Sequence, residues 1–189
     1  MTDAFALFEE PRKPWLEVKA LKDKFIERST QTHPDKFTDP AEKESAQVRF
    51  TELNSAHDTL RDTKLRLQHL LTLERGQKPD EVHDILPETA DLFLEVGQLL
   101  KPVDALLEKR EAETSPLLKA QSYGEALDWL EKVNNLLKTI HEELAALDQV
   151  ARELNGNWDC VSVEKLFHQY SYLQKWRAQL NDRAVRLGF

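Results

Sequence analysis

Cysteine, glycine and long apolar runs are scarce in this 189-residue sequence. Cys160 is the only cysteine, so no disulfide can form within the chain and no cysteine cluster can hold zinc. The sequence has only five glycines, with 40% hydrophobic and 32% charged residues, which is typical of long helices rather than a sandwich or a disordered chain. No apolar run approaches the roughly 20 residues that a membrane span requires. We therefore expect an all-α protein.

Export signals and excess positive charge are also lacking. The segment that begins Met1-Thr2-Asp3 has neither the basic and apolar regions of a signal peptide nor the Arg-rich character of a transit peptide. Together with the single cysteine, this predicts a cytoplasmic location. The net charge of −8 argues against nucleic acid or an anionic membrane as the main partner, because both are negatively charged like the protein and would repel it.

Catalytic and cofactor motifs are absent as well. His33 and Asp35 could form an acid–base pair, but no nucleophile or glycine-rich loop accompanies them. His33, Asp35, Asp39, His57 and His69 are metal-ligand types, yet their spacing matches no common metal site. We expect neither enzymatic activity, nor a cofactor, nor a bound metal.

The first 75 residues carry a helical pattern interrupted by one polar turn. Apolar residues repeat at helical spacing over 15–31, 41–60 and 63–73, the last with Leu65, Leu67, Leu70 and Leu71. His33-Pro34-Asp35 must end the first helix, since proline disfavours the α conformation in the residue before it. Asp39 is a predicted cap, with Pro40 at the first position of the next helix. The pattern predicts a helical hairpin flanked by short helices, one of them an apolar turn at residues 5–8.

The second half predicts an antiparallel three-helix bundle. Stop and linker residues at 76–80 divide the chain into a first domain (1–75), a linker (76–86) and the bundle (87–189). Helices are predicted from residue 87, with a bend near Gly97 and Pro102, over 117–154 with a break near 122–124, and over 158–187 after a stop at 155–157. Each helix has an apolar stripe to bury, which favours the bundle and leaves weak self-association open.

The residues alone leave two interpretations of the turn. A proline-fixed loop with an imidazole and a carboxylate, beside a helix face with basic residues, is suited to an acidic protein surface. Alternatively, the turn merely ends a helix, and the lysines are solvated.

Several segments resemble a known family. His33-Pro34-Asp35-Lys36, with Phe25 in the helix before it and Leu53-Asn54-Ser55-Ala56 in the helix after it, resembles a J domain. Phe5-Ala6-Leu7-Phe8, Leu70-Leu71-Thr72-Leu73 and the closing segment 166–187 are similar to the HscB (Jac-type) class of J-domain cochaperones, in which a helical bundle follows the J domain.

The resemblance implies a function without chemistry in the protein itself. A DnaK/HscA-type chaperone would be stimulated to hydrolyse ATP by the J domain, with Phe25 packing the hairpin. Ile26-Glu27 depart from the basic residues usual in the family. The chaperone-binding residues that the resemblance implies are His33, Pro34, Asp35, Lys36, Lys22 and Arg28.

The resemblance also implies a client, the iron–sulfur cluster scaffold protein, which would bind the first bundle helix. The implied contacts are Phe93, Leu94, Val96 and Leu100, on a helix that departs from the family at Pro102. Apolar residues of such a helix are otherwise bundle core. A structural or adaptor protein with a degenerate J domain, or a general J-domain protein with another client, are the alternative functions.

Overall fold

The computed structural model describes residues 2–80 and 87–188, and all regular elements within these ranges are helical. This confirms the predicted all-α class. Eight α-helices lie in the described ranges: α1 (Ala4–Leu7), α2 (Val18–Thr32), α3 (Pro40–Arg61), α4 (Thr63–Arg75), α5 (Ala90–Ala112), α6 (Pro116–Gln121), α7 (Tyr123–Leu154) and α8 (Cys160–Leu187). Short 3₁₀ turns lie at Pro34–Lys36 and Pro87–Thr89.

The chain forms two compact units. The first unit comprises Met1–Asp80 with Asp148–Phe167, and the second comprises Glu81–Leu147 with His168–Phe189. Helices α7 and α8 therefore contribute residues to both units. The division at residues 75 and 87 stays a prediction, and residues 81–86 of the predicted linker lie outside the described residues.

Capping residues mark several helix ends in the first unit. Helix α2 begins at Val18, three residues later than the pattern suggested, and the side chain of Glu17 accepts a hydrogen bond from the Lys19 amide. Asp39 accepts from the amides of Ala41 and Glu42, both at 3.0 Å, which confirms the predicted cap of α3. Gly76 ends α4 in the left-handed region at φ 74°.

The interior of α4 differs from a simple leucine stripe. Leu67, Leu70 and Leu71 are fully buried, whereas Leu65 is exposed and its neighbour Arg66 is only 1% exposed. A cation therefore occupies an interior position of the first unit.

The second unit is built on apolar packing. Val103 of α5, Ile140 of α7 and Leu180 of α8 are completely buried. The predicted break is confirmed, because α6 ends at residue 121 and α7 begins at residue 123. Helix α5 continues unbroken through Pro102, whose effect on its axis stays a prediction.

Charged side chains join α5 to α8 within the second unit. Arg183 donates to Asp104 at 2.9 Å, and Arg186 donates to Glu111 at 2.6 Å. None of the helices in residues 2–80 and 87–188 combines the length and the hydrophobicity that crossing a membrane demands.

Candidate functional site

The polar turn between α2 and α3 has a defined backbone. His33 is extended, at φ −61° and ψ 128°, as expected for the residue before a proline. The Lys36 amide donates to the His33 carbonyl at 3.0 Å, and the Phe37 amide donates to the Pro34 carbonyl at 3.2 Å. Pro34 is buried, whereas His33, Asp35 and Lys36 are exposed. The turn thus presents its polar side chains on a short 3₁₀ turn anchored by the proline ring.

The imidazole of His33 is oriented by two contacts. Its Nδ1 atom accepts a hydrogen bond from the Asp35 amide at 3.3 Å, and its ring meets Phe50 of α3 edge-on, with centroids 5.2 Å apart. Because Nδ1 is an acceptor, the neutral ring carries its proton on Nε2. The Asp35 carboxylate lies beside the ring, with Oδ2 3.6 Å from Nδ1. The site therefore offers a donor and a carboxylate side by side.

The hairpin behind the turn is held by stacked rings. Phe25 of α2 stacks on His57 of α3, with centroids 4.2 Å apart and planes 21° apart. Phe8, just after α1, lies 6.3 Å from the same imidazole. Burial lowers the pKa of His57, the charge of Arg61 lowers it further, and Asp58 opposes both. The imidazole therefore favours its neutral form next to these phenyl rings.

The basic residues of α2 fall into two groups. Lys22 is exposed, as predicted for a contact residue. Arg28 is half-buried, donates to the Leu7 carbonyl and pairs with Glu9 at 3.1 Å. Lys24 pairs with Glu10. Arg28 and Lys24 therefore tie α2 to the segment around α1, and the chaperone-binding role of Arg28 stays a prediction.

The predicted client residues on α5 do not share one environment. Phe93 and Leu94 are exposed, Leu100 is half-buried, and Val96 belongs to the core. The Phe93 ring lies 6.2 Å from that of Trp176, which is buried. The structure thus places the first two residues at the surface, and the client role of all four stays a prediction.

The sequence did not indicate that two polar residues of the first unit, Arg66 and His69, are buried. Arg66 donates to the carbonyls of Pro14 at 2.8 Å and Leu60 at 2.5 Å, and to the Thr63 hydroxyl at 3.0 Å. His69 Nε2 accepts from the Ala4 amide at 3.0 Å, and burial lowers the pKa of this imidazole. These contacts fix the segment that precedes α2.

Asn155 was recognised only as part of a helix stop. Its Oδ1 accepts from the Trp15 amide at 2.9 Å, and its Nδ2 donates to the Trp15 carbonyl at 2.9 Å. The guanidinium of Arg152 also lies 4.3 Å from the centre of the Trp15 ring. The end of α7 and the loop after it therefore complete the first unit. No local pattern could have shown a contact that joins residues 140 positions apart.

No protein-family model matches the chain. Two solved structures are similar over nearly all of it. The chaperone HscB from Vibrio cholerae is 18% identical, with a TM-score of 0.58 and 96% of each chain covered. The human co-chaperone protein HscB is 14% identical, with a TM-score of 0.62, and the match covers 96% of this chain and 81% of the human one. The chain therefore has the fold of the HscB co-chaperones, which confirms the predicted resemblance at the level of the fold.

Proposed function

We propose that this protein is a J-type cochaperone in iron–sulfur cluster assembly. It raises ATP hydrolysis by a DnaK/HscA-type chaperone and brings that chaperone a client, the iron–sulfur cluster scaffold protein. The observation that carries the proposal is the exposed turn of His33 and Asp35 on a buried Pro34, in a chain with the fold of HscB co-chaperones. In this role the protein itself catalyses no reaction.

The chemistry of the turn supports recognition by a folded partner. A pre-organised pair of hydrogen-bonding groups loses little conformational entropy on binding. The Nε2 hydrogen of His33 suits a carbonyl or carboxylate of the chaperone, and the Asp35 carboxylate suits an arginine. The exposed Lys36 of the turn and Lys22 of α2 are the further contact residues in this proposal.

Single-turnover ATP hydrolysis by the cognate chaperone tests the proposal. Wild-type protein raises the rate, and His33→Gln, which replaces the imidazole ring with a neutral side-chain amide, abolishes the rise. His141→Gln is the matched control, because it makes the same change on an exposed histidine of α7. An unchanged rate with the wild-type protein would refute the cochaperone function.

Titration against the iron–sulfur scaffold protein tests the client. We expect binding that weakens when the exposed pair Phe93 and Leu94 is changed to serine, whereas Val185→Ser, at an exposed apolar position of α8, leaves it unchanged. If the scaffold does not bind at tens of micromolar, a measurable range, while ATP hydrolysis still rises, the protein is a general J-domain cochaperone with another client.

The internal pairing of Arg28 and Lys24 favours a second candidate, an adaptor that no longer stimulates the chaperone. In that case two basic residues of α2 serve stability rather than docking. An adaptor would bind its client without changing the rate of ATP hydrolysis, so the same two assays distinguish the candidates.

A further inference from the structure

We infer that the chaperone contacts this protein through an uncharged patch beside His33, and that the matching surface of its ATPase is apolar rather than acidic. The patch consists of Ile26, Ser29 and Thr30 and is called the Ile26 patch below. This inference rests on the proposed function and specifies the chemistry of the contact.

The Ile26 patch lies on the same side of α2 as the polar turn. Positions 26, 29, 30 and 33 are separated by three, four and seven residues, which places them on one helical face. Ile26 is 51% exposed, Thr30 is exposed and Ser29 is half-buried. A partner that binds His33 from this side therefore covers the two helical turns before it.

Hydrogen bonding makes this patch less polar than its sequence suggests. The Thr30 hydroxyl donates to the Ile26 carbonyl at 2.7 Å, and the Ser29 hydroxyl donates to the same carbonyl at 3.0 Å. Both hydroxyl hydrogens are thus used within the helix. The Ile26 side chain and the Thr30 methyl group are the apolar groups that this patch offers a partner, and the two hydroxyl oxygens remain as acceptors only.

Charge pairing removes two cations from the outer surface of α2. Lys24 binds Glu10, and Arg28 binds Glu9 and the Leu7 carbonyl, all on the segment around α1. These two basic side chains tie α2 to the segment around α1. They do not contribute free positive charge to a docking surface.

The exposed charges that remain on α2 balance one another. They are two of each sign, namely Lys19, Lys22, Asp23 and Glu27. Lys22 stands eleven residues before His33, about 16 Å along the helix axis. The exposed charge of α2 closest in sequence to His33 is Glu27, which repels an acidic surface. An apolar partner surface matches this arrangement, because burying Ile26 against it removes apolar area from water.

The concentration that gives half-maximal stimulation of ATP hydrolysis tests the inference. Ile26→Ala should raise it about fivefold, since a partly buried aliphatic side chain is lost. Ile26→Lys should raise it at least about tenfold, because an unpaired cation would enter an apolar contact. Val18→Ala is the matched control: Val18 is 53% exposed on the same helix but lies in its first turn. Between about 50 and about 200 mM salt, the wild-type value should change less than about twofold.

Three results overturn the inference. The first is that Ile26→Lys lowers the concentration needed for half-maximal stimulation. The second is that salt raises this concentration for the wild-type protein by more than about tenfold. The third is that Ile26→Ala behaves as the wild type while His33→Gln is inactive. In each of these cases the cochaperone function stands and the apolar contact fails. If the wild-type protein does not stimulate the chaperone at all, both fail together. Unchanged melting curves for the Ile26 variants would show that the exposed substitutions leave the fold intact.

Discussion

The two units of this protein differ in the interactions that stabilise each of them internally. In the first, short helices and an extended segment are fixed by polar side chains inside the structure: Arg66, His69 and Asn155 each bind main-chain atoms far away in sequence. In the second, long helices bury apolar stripes, and the arginine–carboxylate pairs lie toward the surface. Apolar periodicity is enough to join long helices, whereas an irregular segment needs partners for its own amides and carbonyls.

Arg66→Leu should give the largest loss of stability in the first unit. The change removes hydrogen bonds to two buried carbonyls, so the free energy of unfolding should fall by about 3 kcal/mol. Chemical denaturation measures the loss, and hydrogen exchange should locate it in α1 to α4. Arg61→Leu, on an exposed side chain near the end of α3, is the control. A loss as small as that of the control would mean that the hydrogen bonds of Arg66 contribute little to the stability of the first unit.

Ile140→Ala should destabilise the second unit by a different mechanism. The residue is completely buried on α7, so truncation leaves a cavity and costs about 3 kcal/mol. Hydrogen exchange should quicken first in α5 and in the parts of α7 and α8 that belong to the second unit. If the amides of α1 to α4 exchanged faster to the same extent, the two units would unfold as one cooperative unit and would not have separate stabilities.

Asn155→Ala should have an intermediate effect on the first unit. Both hydrogen bonds to the Trp15 backbone are lost at a half-buried position, so the expected cost is about 1 to 2 kcal/mol. Asn157→Ala, in the same loop but exposed, is the matched control. Equal melting temperatures for the two variants would remove Asn155 from the set of residues that hold the first unit.

The first unit should also lose stability in mild acid. The pKa values of His57 and His69 are lowered mainly by burial, so the folded state binds fewer protons than the unfolded state just below a pH of about 6.5. Stability is therefore present above that pH and falls as the pH drops toward the folded-state pKa values. Melting temperatures measured from pH 7.5 to pH 5 should fall, and the double variant His57→Phe/His69→Gln should flatten the curve. A curve with the same slope in this variant would contradict the assignment.

The spacing of apolar residues, together with the residues that begin and end helices, predicted most of the fold. The helices, the cap at Asp39 and the break before α7 follow from local rules about apolar spacing, proline and short polar side chains. The polar turn was also predictable, because Pro34 restricts His33.

The tertiary contacts of polar residues could not be predicted in this way. Arg66 stands among leucines that follow the helical period, and its burial depends on the Pro14 carbonyl, which local spacing does not reveal. Likewise, the resemblance to a J domain implied that Arg28 is a contact residue, whereas its pairing with Glu9 depends on where the chain before α2 lies. The exposure of Ile26 and the hydroxyl bonds beside it likewise required the structure.

Single-turnover ATP hydrolysis by the cognate DnaK/HscA-type chaperone tests the central claim most directly. The wild-type protein and His141→Gln should raise the rate several times, and His33→Gln should leave it at the level of the chaperone alone. If His33→Gln stimulated as well as the wild type, or if no form of the protein raised the rate, the exposed turn between α2 and α3 would not be the functional site.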